Sequence, residues 1–94
     1  MVRLEAKPGR EDEVRAFLAG AIEGVNAEAG TPVWLAIEAE PSTFWIVDAH
    51  ASEEDRQAHL DGAVAAKLMA SADELFSEPP AITMTTILSG KPSS

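Results

Sequence analysis

Cysteine is absent from the 94 residues. Disulfides, thiolate metal sites and cysteine nucleophiles are therefore all excluded, and the absence fits a cytoplasmic setting. Basic residues are scarce: 7 Lys and Arg stand against 16 Asp and Glu, a formal charge of −9. A nucleic-acid partner would need a basic stripe, and an anionic membrane would repel such a chain. No apolar run approaches the roughly 20 residues of a transmembrane helix. The N-terminus has no signal-peptide core, so the chain is expected to stay where it is made. No glycine-rich loop follows a strand, which removes dinucleotide and flavin fingerprints, and there is no Gly-x-Ser-x-Gly elbow.

What remains is a globular composition, 46% apolar, long enough for one domain. Residues 1–88 read as that domain and 89–94 as a polar tail. Val2, Leu4 and Ala6 alternate with Arg3 and Glu5, a half-buried strand closed by Lys7-Pro8-Gly9. Glu11, Asp12 and Glu13 suit the positive end of a helix dipole. Val14, Phe17, Leu18, Ala21, Ile22 and Val25 then form one helical stripe, with Gly30 as its expected C′ stop. Ser52 is placed to cap a second helix, with Asp55 three residues on. Asp61-Gly62 breaks it before a third helix from Ala63 to about Phe76, buried through Val64, Leu68, Ala72 and Leu75. After Pro79-Pro80, Ala81 to Leu88 reads as a fourth strand.

The segment Thr31–His50 organises the rest. Two β-rich runs flank a Glu40-Pro41-Ser42 break, which signals a hairpin. With Ala39 opposite Phe44, one face carries Val33, Leu35, Ile37, Phe44 and Ile46, and the other Trp34, Ala36, Trp45, Val47 and Ala49. Both faces are apolar, while the chain's helices can cover only one. The element order β-α-β-β-α(α)-β predicts a ferredoxin-like α+β fold with a four-stranded antiparallel sheet. The open face, with Trp34 and Trp45, is expected to meet a second copy. Removing several hundred Å² from water at about 25 cal/mol per Å² is worth several kcal/mol per subunit before association costs.

Lys7-Pro8-Gly9, Glu28-Ala29-Gly30 and the stretch Phe44–His59 resemble the antibiotic biosynthesis monooxygenase superfamily, a quinol monooxygenase-like group. The resemblance covers Met1 to about Leu88 and implies a dimeric α/β barrel, no cofactor and no metal. The sequence departs from the superfamily's pattern at several points. Asp48 stands where Glu is usual, His50 replaces Trp or Tyr, and Val64 fills a second-histidine position. Pro32 is displaced from the commoner Glu-Pro-Gly, and there is no tyrosine to act as a phenol donor.

Asp48, His50 and His59 are the candidate catalytic set, since a histidine near a carboxylate can work as a general base close to neutral pH. The same three side chains are also the donor set of a metal triad, though the resemblance implies none. Leu35, Phe44, Val64 and Leu68 are the expected apolar substrate contacts, and Asn26 a possible amide donor. Arg56 reads as a solvated helix residue, the tryptophans as core and interface. The leading expectation is a cofactor-independent monooxygenase turning an aromatic polyphenol or quinol into a quinone. The resemblance implies that the substrate's own carbanion would reduce dioxygen. An isomerase of the same superfamily and a non-catalytic ligand-binding barrel are the alternatives.

Overall fold

The computed structural model describes residues 1–90; the end of the expected polar tail, 91–94, lies outside the described residues. The elements are β1 (Val2–Glu5), α1 (Glu11–Asn26), β2 (Val33–Glu40), β3 (Thr43–Ala49), α2 (Glu53–Leu60), α3 (Ala63–Leu75) and β4 (Ala81–Ile82). They form the α+β ferredoxin-like fold, its strands antiparallel in the order β2-β3-β1-β4. Helices cover one face. Leu4, Val14, Leu18, Phe44, Ile46, Leu68, Leu75 and Phe76 make the core between the layers. No helix among the described residues is long and apolar enough to cross a membrane.

Local chemistry explains the element ends. Gly9 has φ 88, a left-handed conformation that favours glycine, and its N–H donates to the Glu11 carboxylate at 2.9 Å just before α1. Ser52 caps α2 by accepting from the Asp55 N–H at 3.1 Å, as the sequence indicated.

Three expectations are corrected. The first is the hairpin register. Trp34 pairs with Asp48, Ala36 with Ile46 and Glu38 with Phe44, and the register then shifts between Glu38 and Glu40. Ala39 is thus an extra residue rather than the partner of Phe44, and one residue of slip moves every β2 side chain to the other face. Trp34 joins Phe44, Ile46 and Asp48 beneath the helices. Val33, Leu35 and Ile37 join Trp45 and Val47 on the open face.

The second is the end of α1, which stops at Asn26, with Ala27 still in right-handed helical geometry. Gly30 is not its C′ residue. A Cβ on Gly30 would lie 2.4 Å from Asp55 Cγ, so glycine is needed there because α2 crosses closely. The third is β4, which ends at Ile82 instead of Leu88. Its antiparallel register carries Ala81 and Ile82 past Arg3 and Val2, and the Thr83 N–H reaches the Met1 carbonyl at 2.8 Å.

Candidate active site

The strand period of two points Phe44, Ile46, Asp48 and His50 to the same side of β3. At the Asp48 end, α2 brings in His59, and the turn after α1 brings in Glu28 and Thr31. These five side chains form a closed ring. Asp48 Oδ2 is 3.3 Å from His59 Nε2 and 3.3 Å from His50 Nε2. His59 Nδ1 is 2.5 Å from Glu28 Oε1. The Thr31 hydroxyl donates to that same Glu28 oxygen at 3.2 Å and lies 3.2 Å from His50 Nδ1. The side chains of His50, His59 and Asp48 are 5%, 9% and 11% exposed, so the ring is shielded from bulk water.

The network assigns the tautomers. A carboxylate only accepts, so His59 Nδ1 must carry the hydrogen it gives to Glu28. Thr31 spends its hydrogen on Glu28, so its oxygen accepts from His50 Nδ1–H. Both rings therefore turn Nε2 inward toward Asp48.

The electrostatics follow. The hydrogen bond with Asp48 raises the proton affinity of His59 above the ordinary 6.5; burial opposes this, and the Glu28 contact reinforces it. Burial works to raise the Asp48 carboxyl. The His59 hydrogen bond and the charges of His50, His59 and the terminal amino group outweigh it and hold the carboxyl below 3.8.

Asp48, His50 and His59 of this ring line a cavity of about 270 Å³. Phe17, Ala21, Ile46, Leu60, Val64 and Leu68 supply apolar walls, and Trp34 lies beside Asp48. The Trp34 indole Nε1 is buried without a hydrogen-bond partner among the described residues. Met84 and Thr85 also line the cavity, and Arg56 donates to the Thr85 carbonyl at 3.3 Å.

Of the residues singled out in the sequence, Asp48, His50, His59, Val64 and Leu68 meet at this cavity. Leu35 does not: the register slip leaves it 53% exposed on the open face. Phe44 sits in the core, 2% exposed, about 13 Å along the strand from Asp48 at about 3.3 Å per residue. Asn26 is exposed at the end of α1, off the cavity wall. Sequence reasoning missed Glu28, Thr31 and the cavity position of Trp34 and Arg56. Glu28 did carry a signal: an acid just past a helix C-terminus is unfavourable to the dipole, so it wants a cationic partner elsewhere.

Solved structures provide the comparison. The chain superimposes on the NE2512 protein of unknown function from Nitrosomonas europaea with a TM-score of 0.94 and 50% identity, over 99% of this chain and 90% of that one. It is similar to Rv0793 from Mycobacterium tuberculosis at a TM-score of 0.83 and 21% identity, covering 96% and 93% of the two chains. A candidate antibiotic biosynthesis monooxygenase from Nitrosomonas europaea also gives 0.83, at 17% identity over 99% and 89%. No protein-family model and no curated protein matches. The fold is that of the antibiotic biosynthesis monooxygenase-like proteins. Within it, the chain belongs to the same family as the NE2512 protein.

Proposed function

We propose that the chain is a small cofactor-independent monooxygenase that oxidises an aromatic quinol to a quinone. One observation carries the reading: a largely apolar cavity of about 270 Å³ is lined by Asp48, His50 and His59 together, with Arg56, Thr83 and Thr85 as its other polar side chains. A dry cavity of about 150 Å³ accepts benzene, so this one suits a one- or two-ring substrate. In its neutral form His50, held by Thr31 in the Nδ1–H tautomer, presents the Nε2 lone pair and takes the hydroxyl proton. His59, when protonated, steadies the developing oxyanion, and its hydrogen bond to Asp48 favours that form. Of the two histidines in the candidate set, this gives the role of base to His50. The substrate carbanion then attacks dioxygen, and the hydroperoxide loses water to leave a quinone that keeps one new oxygen, so one quinol and one dioxygen yield one hydroxyquinone and one water.

An oxygen-electrode assay with benzene- and naphthalene-type hydroquinols tests this. Equal uptake of dioxygen and formation of quinone are expected, with His50→Ala slowing turnover by roughly 10²–10⁴-fold, the worth of acid–base catalysis. No uptake with any quinol overturns the reading. Proton exchange at a carbonyl substrate's α-carbon under the same conditions would instead support the isomerase, which needs only the acid–base set. We further propose that the chain pairs through its open sheet face, where Val33, Leu35 and Ile37 are 38%, 53% and 44% exposed beside Trp45. Light scattering should find a dimer that Leu35→Glu dissociates, because a charge would be buried unpaired.

A further inference from the structure

We propose that Asp48, His50 and His59 form a binding site for one first-row divalent transition-metal ion of the zinc type. This goes beyond the acid–base reading and does not rest on it, since an ion and a proton would compete for the same three atoms.

The tautomers come first. Glu28 and Thr31 between them require hydrogen on Nδ1 of both rings. In their neutral forms, His50 and His59 then direct two bare Nε2 lone pairs at Asp48 Oδ2, each at 3.3 Å. Three acceptors converging on one point repel unless a proton or a metal ion sits among them.

The spacing suits an ion. Zinc binds imidazole at about 2.0–2.1 Å and carboxylate at about 2.0–2.2 Å. The edge of a tetrahedron is about 1.63 times its centre-to-corner length, so neighbouring donors should stand about 3.3–3.5 Å apart. Both nitrogen–oxygen separations are 3.3 Å, and one donor atom from each residue lies within 4.8 Å of the others.

The supporting contacts are those a metal site uses. A ligating histidine normally donates its outer ring N–H to a carboxylate or another oxygen, which fixes tautomer and orientation. His59 does so to Glu28 and His50 to Thr31. Two imidazoles with one carboxylate select transition ions over the all-oxygen shells of magnesium and calcium. All three ligands line the cavity, so the position left open by three protein donors faces it.

The test uses the full chain, stripped with a chelator and titrated with cobalt(II), with magnesium as a parallel probe. One cobalt per chain is expected, with visible d–d bands and two hyperfine-shifted, exchangeable histidine N–H signals. Zinc should displace it, and magnesium should not bind. His50→Ala should remove one shifted signal. Thr31→Val keeps both ligands and should weaken binding by about 10–100-fold, the usual cost of losing a supporting contact. Should His50→Ala fail to fold, the wild-type spectrum and Thr31→Val decide. Absence of stoichiometric cobalt binding, or binding that His50→Ala leaves unchanged, overturns the site. Quinol turnover by the stripped protein is a separate readout, so either proposal can fail alone.

Discussion

The two ends of the helix-covered sheet face are built by the same strand and have opposite character. At one end Phe44 is enclosed with Leu4 and Val14, which are fully buried. At the other, two and three alternations along β3, Asp48 and His50 face histidine, carboxylate and hydroxyl. Strand geometry is the same at both ends. The difference lies in what packs on top: an apolar stripe of α1 over Phe44, and a polar turn plus α2 over Asp48. A strand's period assigns a side chain to a face, while the covering elements decide whether that face is a core or a site.

Phe44→Ala is the strongest way to break the dry end. It should cost about 3–5 kcal/mol of stability, the usual result for emptying an aromatic core position. Chemical denaturation reads the loss, while affinity for a cavity ligand per folded molecule should stay the same. If the ligand affinity falls in parallel, the two ends are not separable.

Gly30→Ala probes the seam that carries α2 to the polar end. The new Cβ would meet Asp55 Cγ at 2.4 Å, and such overpacking typically costs about 1–3 kcal/mol. Because α2 also carries His59, the His59 ring signals should shift even where the fold survives. Unchanged ring signals would show that the close approach does not set the histidine's position.

The smallest effect is electrostatic and sharpens the comparison in the metal-free protein. His59 holds its proton more tightly when folded, so its contribution is complete below the ordinary 6.5 and fades as pH rises through the raised folded value. Asp48 is shifted down, so its contribution is present above 3.8 and fades as pH falls through the lower folded value. Stability should therefore plateau between those two ordinary values. Glu28→Gln replaces a charged hydrogen bond with a neutral one, a change of about 1 kcal/mol. It should move the upper edge of the plateau to lower pH, as followed by His59 ring NMR. A plateau edge that stays in place would remove Glu28 as a cause of the raised value.

The order of elements, the helical stripe Val14–Val25, the Ser52 cap and the break at Asp61-Gly62 were legible because local chemistry dictates them. So was the grouping of Asp48 with His50, which needs only the strand's period of two. The β2 register was not, because the bulge at Ala39 depends on pairing across the hairpin and no residue there demands it. That slip alone moved Leu35 out of the expected site and Trp34 into the cavity. The length of β4 was not legible either, since Ile82, Met84, Thr86 and Leu88 alternate as a strand would, although only Ala81 and Ile82 pair with β1. Glu28 and Thr31 lie 31 and 19 residues from the histidines they hold. A contact at that separation forms only when α1, β3 and α2 dock, so no pattern within either segment can show it. Sequence by itself determined that both sheet faces are apolar and singled out Asp48, His50 and His59 as candidates. Tertiary structure decided how those side chains are oriented, because both imidazole tautomers are set by partners from another part of the chain.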